Sequence, residues 1–438
     1  LFGALRNISF LYEFNAMAFM RTLECVLQRL GPVERSNEDE RASVLKAALF
    51  REVAARTGRG LTAEDKMVFG VHLARHFSND SNLAASSGLS VDEITSTIES
   101  TLGSDCPWQG RGLSDLNVVV DEDISSSIPL LLCGAPGHDV SGRVESMARE
   151  SNKELASVAM GSEEGFGTAL KILATASKRG TWVMLKNCHL CIEWLEEALV
   201  KKLHSLGPGT HKDFRIFLTS EINPKLPTSL LRLSDIILAE APAGVKASIT
   251  RFFSRIASDR FDSPVRNRIY LILAWVHAVI QERLRYIPVG WTEAYEFTEA
   301  HAINALDALD ALTDDANLDP EKLPWDAIRA TLCRDIFGGR VTNPIDQENL
   351  DKLVDSVFVG DCFNVNFKLA DAEDAPCLPD GSSKEECFAW IESLPPYTSP
   401  TWIGLDANAE KARAERIAKS VSKKVQEVEI ARSALGDD

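Results

Sequence analysis

Ile128-Pro129-Leu130-Leu131-Leu132-Cys133-Gly134-Ala135-Pro136-Gly137-His138-Asp139-Val140-Ser141-Gly142-Arg143-Val144 is the stretch that decides how this chain is read. A short apolar run passes into a glycine-containing loop and then into the start of a helix. That is the layout of a phosphate-binding loop, whose pattern is G-x-x-x-x-G-K-[ST]. The spacing is kept from Gly137 to Gly142, but the chemistry is not. Arg143 stands where a lysine would reach the β- and γ-phosphates, and Val144 stands where a hydroxyl would hold Mg²⁺. A valine side chain has no oxygen to offer a hard cation. The expectation is a loop that keeps its shape and has lost its ion.

Outward from this loop, residues 128–240 alternate short apolar runs with helical patterns. The runs are Pro129–Cys133, Leu155–Met160, Trp182–Leu185, Phe214–Leu218 and Ile236–Leu238. Continuous apolar strands between helices predict a parallel sheet covered on both faces. The fold class is therefore α/β plus α: a five-stranded parallel core of P-loop ATPase type with flanking helical domains.

A working site of this type needs a strand that ends in an acidic pair to hold the metal and orient water. Trp182-Val183-Met184-Leu185 is followed instead by Lys186-Asn187. With both metal positions altered, the reading is an inert nucleotide site. A bound but unhydrolysed nucleotide is the alternative, because Arg143 can neutralise a phosphate. Asn223 follows the fourth run, where ATPases place a polar residue that senses the γ-phosphate; without metal ligands a turn or cap role is the stronger reading. Arg232 precedes the fifth run, where a ring ATPase projects an arginine into its neighbour's site; a surface salt bridge explains it equally well. Cys188-His189-Leu190-Cys191 has no second ligand pair nearby, so turn residues after a strand explain it better than zinc or redox chemistry.

The 438 residues suffice for two or three cores. No apolar run approaches the roughly 20 residues of a membrane span. Nine scattered cysteines fit a reducing compartment better than a disulfide framework. The net charge of −17 disfavours nucleic acid and other strongly acidic polymers as partners. Residue 1 is Leu within a helical pattern, as in a piece of something longer.

Residues 1 to about 78 read as three helices, one with a cap at Ser36 and one over Ala63–His76; another is expected near Val91–Leu102, within a connector over 79–127. Beyond 245 the pattern is helical. Ser263-Pro264 opens a helix whose stripe is Val265, Ile269, Ile272, Val276, Ile280 and Leu284, expected to serve as a contact for a neighbouring module. Further helices are predicted near His301–Leu312, Trp325–Phe337, Asp346–Phe358 and Lys384–Ser393. A polar helix from Asn408 to Leu435 carries the narrow stripe Ile417, Val421, Val425 and Val428, which predicts docking on another surface.

The blocks WVMLKNCHL, KKLHSLGP, FRIFLTSEINPKLPTSLLR, PAGVKASITRFFS, AWVHAVIQERLRYIPVGW and FGGRVTNPIDQ resemble the cytoplasmic dynein heavy chain. So do Pro400-Thr401-Trp402-Ile403-Gly404-Leu405 and, upstream, CGAPGHDVSGRVE and MGSEEGF. The likeness covers nearly the whole chain. It implies a piece of a minus-end-directed microtubule motor built as an AAA+ ring, with ATP and Mg²⁺ in other modules and no cofactor in this one. It further implies that residues 1–125 end the fifth module and enter the sixth. Residues 126–245 would be a degenerate large α/β domain, 246–405 its lid, and 406–438 the opening of a C-terminal domain that continues further. The implied partners are neighbouring AAA+ modules and, through other parts of the parent chain, microtubules and the intermediate, light intermediate and light chains of a cytoplasmic, cytoskeletal complex. An acidic microtubule surface would repel this acidic piece.

Two readings of other classes stand beside this one: a stand-alone adaptor, and an atypical ATPase. Ring modules bury apolar surface against neighbours, so the isolated chain is expected to self-associate at micromolar concentrations. A compact, stable monomer by light scattering would favour the adaptor.

Overall fold

The structure, a computed structural model, describes residues 5, 7–12, 16–30, 38–78, 90–102, 108–109, 116–135, 140–207, 209–240, 244–313, 319–380 and 383–434. Ser36, much of the 79–127 connector and Gly137 lie outside the described residues. The chain divides into two units, one of residues 1–240 and 415–438 and the other of residues 241–414.

In the first unit, helices α1 (Ala16–Leu30), α2 (Glu38–Gly58), α3 (Ala63–Ser78) and α4 (Val91–Leu102) precede the sheet. Strand β1 (Leu130–Gly134) leads to α5 (Ser141–Glu150), and β2 (Leu155–Ala159) to α6 (Glu163–Arg179). Strand β3 (Trp182–Lys186) is followed by a helical stretch with a π-turn at Leu195–Leu199 that ends as α7 (Val200–His204). Strand β4 (Arg215–Glu221), α8 (Thr228–Leu233) and β5 (Asp235–Ala239) complete the α/β part. The five strands are parallel, in the order β2-β3-β4-β1-β5. Their residues alternate between two cores. Leu131, Val183, Leu185, Ile216 and Leu218 face one, while Leu130, Leu132, Met184 and Phe217 face the other. Burial on both faces is why these strands read as unbroken apolar runs.

The amino-terminal helices are fixed to the edge strand by charge. Asp235, 6% exposed, lies 3.4 Å from both Arg21 of α1 and Arg59. Arg21 also donates to the carbonyls of Arg232, Leu233 and Ser234 at the end of α8.

The second unit begins with α9 (Val245–Arg255) and α10 (Pro264–Arg283). These are followed by α11 (Glu299–Leu312), α12 (Trp325–Ala330), α13 (Pro344–Val357) and α14 (Lys384–Ser393). The stripe expected on α10 proves too narrow. Every residue from Asn267 to Ile280, Ile272 and Val276 included, is buried, so α10 is the core of its own unit rather than a contact face for a neighbour. A helix apolar on all sides belongs in an interior.

The polar residues of α10 organise loops. Arg268 donates to the carbonyls of Cys362 (2.6 Å), Pro379 (2.7 Å) and Asn364 (3.2 Å). Arg283 does the same for Gly290 (3.0 Å) and Ile403 (2.7 Å). A side chain at Gly290 would come within 2.2 Å of the Arg283 carbonyl, so only glycine lets the loop cross there.

The last helix, α15 (Ala409–Ala434), passes from the second unit back to the first at Glu415. Val421, Val425 and Val428 are buried within the first unit, and Lys424 reaches Asp65 of α3 at 2.9 Å. The stripe docks, as its sequence predicts.

His277 of α10 is 1% exposed, lies beside Phe252 and Phe337, and has no hydrogen-bond partner on either ring nitrogen among the described residues. Burial, helped by Arg251 and His301, pushes its pKa down to about 3 from 6.5. Between those values the unfolded chain binds a proton that the folded chain refuses, so stability is lost as pH falls below 6.5, by up to about 1.4 kcal/mol per pH unit. His277→Met should flatten that acid slope and raise stability at neutral pH by about 1 kcal/mol. Denaturant unfolding across pH, with an unchanged slope in the variant, would refute it.

Candidate functional site

The carboxyl ends of β1, β3 and β4 lie together because β4 pairs with both of the others. Ligands in open α/β sheets bind at this edge, where the strand order reverses. Helix α5 begins at Ser141, with Gly142, Arg143 and Val144 in its first turn. Val144 is fully buried in the core that holds Leu130, Leu132 and Met184. Its side chain serves packing. Arg143 is half-buried.

Lys186 ends β3, and its ammonium donates to Glu145 Oε1 of α5 at 2.6 Å. The two side chains are 28% and 40% exposed. An ion pair thus joins the same two elements that a P-loop ATPase joins through Mg²⁺. The donor set does not fit the metal: a buried valine and a lysine occupy the positions where a hydroxyl and a carboxylate would be needed.

Asn187 adopts a left-handed backbone, φ 59°, which asparagine tolerates better than most residues. Its N–H donates to Thr219 Oγ1 of β4 at 3.2 Å, tying the ends of β3 and β4. His189 Nδ1 accepts the Glu221 N–H at 3.1 Å, and its other nitrogen faces the Glu221 carboxylate at 3.9 Å. Asn223 Oδ1 accepts the Lys225 N–H at 2.9 Å, so that side chain shapes its own turn. Arg232 is exposed on α8.

Cys188 and Cys191 are buried, their thiols donating to the carbonyls of Leu185 and Cys188 at 3.4 Å each. Burial raises both thiols, Cys191 to about 11, and raises Cys133 to about 12. Protonated thiols are poor nucleophiles and poor metal ligands. Among the described residues no His, Cys, Asp or Glu cluster could hold a metal, and no helix is long and apolar enough to cross a membrane.

Sequence reasoning singled out Lys186 and missed Glu145, Thr219 and Glu221. A signal for Glu145 exists: a lysine replacing a metal-binding acid calls for a nearby carboxylate, and Glu145 lies one residue past the valine that replaces the hydroxyl.

A parallel sheet in this strand order, with a helix opening at Ser141 soon after β1 and a helical unit after β5, defines an AAA+ P-loop domain with its lid. The pattern of the dynein heavy chain region D6 P-loop domain matches residues 125–238, and that of the dynein heavy chain AAA lid domain matches residues 266–409. The chain belongs to the dynein heavy chain family. It is 44% identical over 325 residues to a cytoplasmic dynein heavy chain of Paramecium tetraurelia, covering 72% of this chain and 7% of that one. With the corresponding Dictyostelium discoideum chain it shares 42% over 322 residues, again 72% and 7%. With that of Drosophila melanogaster it shares 36% over 442 residues, 91% of this chain and 9% of the relative. The chain thus spans less than a tenth of the length of these relatives.

A double-mutant cycle on Glu145→Gln and Lys186→Met is expected to give a coupling of about 0.2–1 kcal/mol, because both side chains are substantially solvated. A coupling of zero by denaturant unfolding would mean that the pair does not pin α5 to β3.

Proposed function

We propose that this chain is a non-catalytic AAA+ module of a dynein motor ring, and that it transmits conformational change driven by ATP elsewhere in the ring. The observation that carries the reading is the Lys186–Glu145 ion pair beside a buried Val144, which puts a side-chain cation and an apolar contact in the place of the metal's ligands. Arg143 can still meet a phosphate, but nothing in the donor set supports Mg²⁺-assisted hydrolysis.

The relatives' names describe cytoplasmic dynein heavy chains. On that likeness the parent protein acts as a minus-end-directed microtubule motor of the cytoplasm and its cytoskeleton. It would bind ATP and Mg²⁺ in other modules and assemble with intermediate, light intermediate and light chains through other segments. The direct partners of this portion are the neighbouring AAA+ modules of the same chain. A module without its own nucleotide cycle can move as one body and pass on closure begun elsewhere.

The intact chain is expected to show no Mg·ATP turnover above a boiled control. Turnover that is abolished by Arg143→Ala would overturn the proposal.

A further inference from the structure

The amino ends of β3 and β4 lie side by side, since Trp182 pairs with Arg215. Each strand is preceded by the C-terminus of a helix: α6 ends at Arg179 ahead of β3, and α7 ends at His204 ahead of β4. The loop after α7 runs onto the end of α6, where the His211 N–H donates to the Ser177 carbonyl at 2.8 Å. Even fully extended, the loop from Ser205 to His211 spans at most about 25 Å. Both helix ends and the loop therefore meet at one edge of the sheet. The residues they bring there are basic: Lys178, Arg179, Lys201, Lys202, His211 and Lys212. All are exposed except Lys202, which is half-buried.

Acids also lie at this edge, among them Asp121, which acts on Arg215 at the start of β4. Asp213 faces His211 at 3.9 Å, and Glu154 accepts the Thr181 hydroxyl at 3.3 Å. Among the described residues, none of Lys178, Arg179, Lys201, Lys202 and Lys212 forms an ion pair or a side-chain hydrogen bond. Acids outnumber bases 64 to 47 in this chain, so a base without an acid is the less expected case. Arg260, by contrast, meets both Asp307 and Asp310. Bases at a helix C-terminus are favoured by its dipole. That accounts for one helix end at a time. It does not account for Lys212 in the loop, or for two basic ends converging on adjacent strands.

We propose that this edge is a docking surface for an acidic segment of another protein. Screening limits each charge to a range of about 8 Å at physiological salt, so a short acidic peptide senses the patch and not the net charge of −17. A long polyanion such as nucleic acid would extend past the patch onto acidic surface, which decides between the two classes.

The test uses the intact chain and a fluorescein-labelled decaglutamate peptide, read by anisotropy at low salt. The patch variant carries Lys178→Glu, Arg179→Glu, Lys201→Glu and Lys212→Glu. A control with the same net charge carries Lys322→Glu, Lys352→Glu, Lys411→Glu and Lys419→Glu. The patch variant should bind at least about tenfold more weakly than the control, with affinity falling as salt rises. Equal weakening in both variants, no binding to the unaltered chain, or equally tight binding of an oligothymidylate of the same length would overturn the proposal. If circular dichroism shows the patch variant misfolded, the corresponding Gln substitutions make the same comparison.

Discussion

The parallel pairing of β1 with β4 on one side and β5 on the other is the constraint from which the candidate site follows. Because the strands run the same way, all their carboxyl ends open on one edge, and each returning connection must cross a face of the sheet. The first turns of α5 are thereby set beside the end of β3. The same constraint places the ends of α6 and α7 together at the other edge, where the basic cluster lies. One topological fact produces two surfaces of different character: a carboxyl edge where Lys186 is paired with Glu145, and an amino edge where Lys178, Arg179, Lys201, Lys202 and Lys212 form no ion pair among the described residues.

At the carboxyl edge, magnitudes show what holds α5 in place. The Lys186–Glu145 pair is solvated on both sides and contributes at most about 1 kcal/mol. Burying the Val144 side chain contributes roughly 1.5–3 kcal/mol. Packing therefore outweighs the ion pair, and the pair chiefly sets the direction of its two side chains. A metal-binding site needs its ligand to complete the link between helix and strand. Here the core itself makes the link, through Val144 packed with Trp182 and Met184.

Much of this was legible in the sequence, because both faces of the sheet are buried and each strand appears as an apolar run flanked by helical periodicity. The helices at Val91–Leu102 and Lys384–Ser393 carry clear starts and stops, and the narrow stripe of Val421, Val425 and Val428 announced a docked helix. Glu145 was hidden because partnership across a sheet leaves no spacing in the sequence. The burial of α10 on every side is hidden from the sequence for a related reason. Its arginines, histidine and glutamate look like a solvated face, and only the fold reveals that Arg268, His277, Glu282 and Arg283 are buried. Asp346 was equally opaque: at 1% exposure it collects the Thr292 N–H and the hydroxyls of Thr292 and Tyr295.

Those buried polar residues bear on how the second unit behaves. Its long connections are only partly tied by their own backbone turns, and the carbonyls left over would be costly to bury unsatisfied. Arg268 and Arg283 supply the missing donors from a helix that cannot itself shift without leaving several carbonyls unpaired. Loops held in this way are coupled to the central helix more tightly than loops held by apolar contact, because hydrogen bonds are directional and a displaced arginine would become an unpaired buried charge. Burial lowers the Arg283 pKa to about 10, a measure of how far its guanidinium is removed from water. A unit built in this way resists internal flexing. On the proposed reading that is the property required of it, since a part that deforms absorbs motion and a part that keeps its shape hands it on.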